Sequence, residues 1–179
     1  TEAVLMAGTD TTRNQLACSI ALFAEHPDQW ARLVADPELA PRAVEETMRL
    51  LGTVRGTARV ASEDIDLHDI TFPAGTLVMT SLAAANHDPD IWDDPHRFDI
   101  TREPSTSPQM TFGSGIHFCL GASLARAELQ EALPLLASRM PGLTLDGPIE
   151  WKPPTVGIWG PSRLPLRFTP ATTGGSPAA

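Results

Sequence analysis

The sequence predicts a mainly α-helical chain carrying small β-sheets. Three observations lead there. Two long stretches, residues 2–25 and about 120–140, carry apolar side chains at helical spacing, and Pro27 and Pro41 each stand where a helix starts. Strict alternation is confined to residues 55–81 and to short runs after 142. No internal repeat and no linker divides the chain.

Composition bounds the function. With 179 residues, 42% of them hydrophobic, the chain can bury one core and is no disordered segment. A formal net charge of -9 makes it a poor partner for nucleic acid. Cys18 and Cys119 are far apart and form no CxxC pair, which argues against a disulfide framework and for a reducing, cytoplasmic setting. No apolar run reaches the roughly 18 residues of a membrane span, so no membrane partner is evident.

In chain order, residues 2–25 read as one helix, apolar nearly all round and therefore buried. "AGTDTT", Ala7 to Thr12, weakens its middle: Gly8 costs about 1 kcal/mol relative to Ala, and threonine hydroxyls compete for carbonyls one turn back. Either this is a flexible or closely packed spot or it is a widened turn beside a ligand. Asp10 in a buried helix favours the ligand. Residues 28–35 form a short amphipathic helix, and Pro41 to Leu51 another, with Gly52 as C-cap. Glu46 and Arg49 lie one turn apart on that helix, the spacing of an ordinary surface ion pair.

Strands follow from Arg55 to Ser81, with turns at "SED", "LHD" and "PAG", and then a short helix before "NHDP". Residues 92–111 are irregular, and so long a structureless stretch in a compact domain is usually functional. The next helix runs from about Leu120 to Met140 and contains Pro134, where proline costs about 3 kcal/mol or forces a kink. "LTL", "IEW" and "LPLRF" read as short strands, and residues 171–179 as a frayed tail.

"FGSGIHFCLG", Phe112 to Gly121, carries the chemistry. Cys119 stands just before a helix, whose dipole favours a thiolate. Gly113, Gly115 and Gly121 let backbone amides approach the sulfur or a flat ligand pass close. No second cysteine is near enough for a zinc site or an iron–sulfur cluster. One thiolate without partner ligands suits a metal already held by four other atoms, as in haem. A thiol nucleophile is the rival, with His117 its one candidate base.

The loop resembles the haem-binding loop of the cytochrome P450 family. Ala7-Gly8-Thr9-Asp10-Thr11 is similar to that family's [A/G]Gx[D/E]T segment, Glu46 and Arg49 to its ExxR pair, and Arg97 in "DPHRF" to the arginine of its meander. The motifs arrive in the family's order, and the resemblance covers residues 2–169. One departure is His87, where the family usually has an arginine after Asn86.

The resemblance implies the C-terminal portion of the cytochrome P450 fold, in a soluble, bacterial-type member. That portion comprises half of the central helix, the ExxR helix, the meander, the Cys-loop and the following helix, over residues 1–170. It implies haem b (iron protoporphyrin IX) with Cys119 as metal ligand. It places Arg59 and His117 on the propionates, Phe112 near the sulfur, and Gly113 and Gly121 around the cofactor. Asp10 and Thr11 become the acid–alcohol pair that delivers protons, and Glu46, Arg49 and Arg97 a buried structural charge triad. The implied activity is monooxygenation of a small organic substrate with electrons from a ferredoxin or flavodoxin-type donor. A peroxide-using enzyme is disfavoured by Asp10-Thr11, and a truncated, inactive fragment is the non-enzymatic alternative. Cys18 reads as a buried small hydrophobe.

Overall fold

The computed structural model describes residues 2–103, 107–153 and 157–171; the predicted tail beyond Ala171 lies outside the described residues. Helices dominate, as their punctuation predicts. Helix α1 (Glu2–Glu25) is followed by α2 (Pro27–Ala35), which carries proline in its first turn. A 3₁₀ turn at Pro37–Leu39 is capped by the Asp36 side chain and leads into α3 (Ala40–Leu50). Later come the short α4 (Leu82–Ala85) and the long α5 (Ala122–Arg139).

These helices share one core. Phe23, Trp30, Leu33, Val44, Ile100, Leu129, Leu133 and Leu143 are almost wholly buried, each side chain contributing about 1.5–3 kcal/mol of apolar transfer. Phe23 packs against Trp30 and Phe98 at ring separations of 5.0 and 5.2 Å, and Trp30 Nε1 donates to the Met140 carbonyl at 2.9 Å. Polar groups inside this core are paired. Ser19 bonds both the Gln15 carbonyl and Thr47 Oγ1. Gln15 holds Leu51 and Thr53 through its amide, tying α1 to the connection that leaves α3.

The expectation that α1 is buried all round holds only for its second half. Cys18, Ala21 and Phe23 are fully covered, whereas Ala7, Gly8 and Thr9 are exposed. The packed core begins at Leu16, so periodicity correctly gives the helix but not what covers its first turns.

Among the described residues, four two-stranded antiparallel sheets complete the fold. Strand β1 (Gly56–Val60) pairs with β4 (Leu77–Ser81), and β2 (Ile65–Leu67) with β3 (Ile70–Phe72) across a turn where His68 adopts φ 54°. β5 (Thr144–Leu145) pairs with β8 (Leu166–Arg167), and β6 (Glu150–Trp151) with β7 (Pro161–Arg163). β7 is not foreseen from sequence: three residues led by a proline carry no alternation.

One further expectation is corrected. Gly52 follows the C-cap Leu51 but does not adopt the positive φ of a left-handed cap. A Cβ on Gly52 would lie 2.8 Å from the Met48 carbonyl oxygen and collide with the Thr111 hydroxyl, so glycine is needed for close approach. As expected, Pro134 lies inside α5, which runs on to Arg139 with Leu133 and Ala137 buried on either side of it. Among the described residues, no helix is long and apolar enough to cross a membrane.

Candidate functional site

An open cleft of about 490 Å³ lies between the first half of α1, the β1–β4 pair, the loop before α5 and the start of α5. Gly8, Thr11, Thr12 and Gln15 face it from α1, and Thr57 and Arg59 from β1. Phe112, Gly113, His117, Cys119 and Gly121 come from the loop, and Leu124, Ala125 and Glu128 from α5.

The loop is closed by its own backbone. Gly113 and Gly115 have φ of 72° and 68°, values that favour glycine. A 3₁₀ turn spans Gly115–His117, and the Cys119 amide donates to the Phe112 carbonyl at 3.0 Å. This lays the loop back on itself and delivers Cys119, free and exposed, at the head of α5. A Cβ on Gly121 would sit 4.0 Å from the sulfur, and one on Gly113 3.9 Å from the His117 carbonyl oxygen.

Arg126, which no sequence motif singles out, braces this loop from α5. Its guanidinium bonds both Glu45 carboxylate oxygens, at 2.5 and 3.1 Å, and lies 4.5 Å over the Phe112 ring. Bonding to Glu45 holds the guanidinium above its ordinary range against the opposing effect of burial, with the Glu45 and Cys119 charges adding to the rise. A signal for it exists all the same: Arg126 interrupts the stripe of Ala122, Leu129, Leu133 and Ala137 that α5 buries. A charge in such a stripe requires a partner.

Behind the cleft lies a buried charge cluster. Glu46 and Arg49 have side chains only 4% and 1% exposed, so they are no surface pair. Arg49 donates to both Glu46 oxygens at 2.7 and 2.9 Å. It also donates to the carbonyls of Asn86, Pro95 and Arg97. The third arginine is not Arg97. Arg97 turns its side chain outward, 62% exposed, onto Asp99. Arg102 occupies the predicted place, with Nε 3.2 Å from Glu46 Oε1. The physical reason is the path of the chain: the Arg97 carbonyl accepts from both Arg49 and Arg102, which directs its side chain to solvent.

Asp10 and Thr11 separate as well. Thr11 lines the cleft, its hydroxyl 2.5 Å from the Ala7 carbonyl oxygen. Asp10 is not buried: its side chain is 42% exposed and pairs with Arg13 at 2.6 Å. The helix keeps regular α geometry through this turn, so the expected widening is not seen.

The cytochrome P450 family model matches residues 33–139. The chain belongs to the cytochrome P450 family. It is 46% identical over 166 residues to luteothin monooxygenase of Streptomyces thioluteus, covering 92% of this chain and 40% of that protein. It is 44% identical over 164 residues to a biotin biosynthesis cytochrome P450 of Bacillus subtilis, covering 91% and 41%. Among solved structures it matches P450BioI in complex with a hexadec-9Z-enoic acid ligated acyl carrier protein, at TM-score 0.86 and 42% identity, covering 93% of this chain and 43% of that one. It also matches CYP109Q5 from Chondromyces apiculatus, at TM-score 0.88 and 36% identity, covering 95% and 44%. The chain thus spans about 40% of the length of the curated relatives it matches.

A cytochrome P450 implies a haem cofactor, and the residues present fit one. The cleft offers a single accessible thiol, two cationic or hydrogen-bonding side chains in Arg59 and His117, and an apolar wall from Leu124 and Ala125. The bare Gly113 and Gly121 positions leave room for a flat group beside the sulfur. Among the described residues, Arg59 Nη1 bonds locally, to the Ala58 carbonyl at 2.8 Å. Cys18 has no place in this site: it is wholly buried, and burial pushes its thiol up to about 12.

Proposed function

We propose that this chain forms the cysteine-bearing haem site of a monooxygenase acting on a small organic substrate. The supporting observation is that Cys119, Arg59, His117 and Thr11 all face one cleft although they come from three separate parts of the chain. In this reading residues 1–170 make up the haem-binding part of the domain and work in the cytoplasm. Haem, when bound, supplies dioxygen activation driven by electrons from a ferredoxin or flavodoxin-type donor.

The chain's own residues do the rest. Cys119, exposed just before the head of α5, would ligate the iron through its sulfur. Arg59 offers a fork suited to a carboxylate, and His117 a second donor. Phe112 covers the sulfur side, its ring fixed beneath Arg126. Thr11 presents a hydroxyl to the cleft, and Asp10, the residue before it, would take up protons at the solvent side of the helix on their way to the site. Glu46, Arg49 and Arg102 hold the irregular chain that leads into the loop.

The test is Cys119→Ser in the haem-loaded protein. The red-shifted Soret band of the ferrous–carbonyl form, which reports thiolate ligation, is expected to disappear. A retained band overturns the assignment.

A further inference from the structure

Away from the cleft, two of the five histidines face each other. His87 follows Asn86 just past α4, and His96 lies in the irregular chain beyond it. Their ring centroids are 5.1 Å apart, with planes inclined by 34°. His87 Nδ1 lies 2.8 Å from the Ala83 carbonyl oxygen. A carbonyl only accepts, so Nδ1 carries the proton and, in the neutral ring, Nε2 keeps its lone pair. This is how metal-ligating imidazoles are commonly prepared, with a backbone carbonyl fixing tautomer and orientation. His96 is exposed, so its ring can turn without disturbing the core. Two imidazoles binding one metal at about 2.0–2.1 Å, with an angle of 90–110° between them, hold their ring centroids roughly 4.5–5.3 Å apart. The observed separation falls in that interval. Among the described residues, no group of three or more His, Cys, Asp or Glu side chains could hold a metal, so solvent completes the coordination.

We propose that His87 and His96 form a two-imidazole site for a divalent transition metal of the nickel, copper or zinc type. Its occupancy bears on the buried charge cluster. Asn86 precedes His87, and Pro95 and Arg97 flank His96. These three residues present their carbonyls to Arg49 at 2.9, 2.7 and 3.2 Å. A metal bridging the histidines ties together the two segments between which the Arg49 guanidinium is held, and clips the fold at that point.

The test is a Ni²⁺ titration of the full chain in a Cys119→Ser background, so that the exposed thiol does not compete. One Ni²⁺ per chain is expected, with the His87 and His96 imidazole resonances broadened before those of His26, His68 and His117. His96→Ala and, separately, His87→Gln should weaken binding by at least about tenfold. Ni²⁺ should raise the Tm of the parent and leave that of His96→Ala unmoved. His96 is exposed, so this variant retains the fold. Unchanged affinity in His96→Ala, broadening confined to the other histidines, or no binding at micromolar nickel overturns the proposal.

Discussion

Replacing Arg102 by alanine, with Arg97→Ala as its companion, tests which arginine completes the charge cluster. Arg102 is 18% exposed, and its guanidinium meets Glu46. It also bonds the carbonyls of Asp93 at 2.6 Å, Asp94 at 3.2 Å and Arg97 at 3.0 Å. Removing one partner of a fully buried pair costs about 3–5 kcal/mol. Here Glu46 keeps Arg49 on both oxygens, and water reaches the vacated rim, so the expected loss is smaller, about 2–3 kcal/mol. Arg97 makes one exposed pair with Asp99, of a kind that contributes about 0–1 kcal/mol. Its contribution to the cluster is its carbonyl, which alanine retains. Urea unfolding followed by tryptophan fluorescence separates the two variants, and Trp92 reports locally because Arg49 lies 5.1 Å over its ring. With a slope of about 2 kcal/mol/M, Arg102→Ala lowers the midpoint by about 1–1.5 M and Arg97→Ala by under about 0.5 M. An Arg97→Ala shift equal to or larger than that of Arg102→Ala refutes the assignment.

The two cysteines give opposite expectations. Iodoacetamide at pH 8 should alkylate Cys119 in the native chain and spare Cys18, which lies wholly buried. Burial raises the Cys18 thiol from 9.0 to about 12, with the Arg55 and Lys152 charges acting the other way. The folded value lies above the unfolded one, so the stability linked to this proton is complete below pH 9 and is lost as pH rises from 9.0 towards 12. Cys18→Ala should flatten that alkaline decline, as measured by Tm against pH; an unchanged decline contradicts the cause given. Arg126→Ala removes a half-exposed pair with Glu45 and the contact with Phe112. The expected cost is about 1–2 kcal/mol in thermal denaturation. Arg126→Lys should restore less than half of it, since lysine keeps the charge without the fork.

What the sequence discloses and what it withholds divide along a physical line. Local signals suffice where a single residue constrains its own backbone. Pro27 and Pro41 place the starts of α2 and α3 to within a residue, and the glycines of the loop mark the turn that presents Cys119. The failures concern who meets whom. Asp10 sits on a helix whose composition reads as buried, yet burial is set by what packs over it, and its partner is Arg13 one turn on. Gly52 looks like a cap because caps are the commonest local use of glycine, whereas its necessity comes from Thr111, distant in the chain. The choice between Arg97 and Arg102 is harder still. Motifs credit side chains, but Arg97 acts through its carbonyl, a group every residue possesses. Irregular chain between Asn86 and Arg102 has no period from which to infer direction, so which arginine points inward follows only from the path of the backbone. Arg126 marks the limit of the rule in the other direction. Its partner Glu45 is distant, yet a charge at a helical position reserved for apolar residues requires a counter-charge, and helical spacing alone is enough to say so.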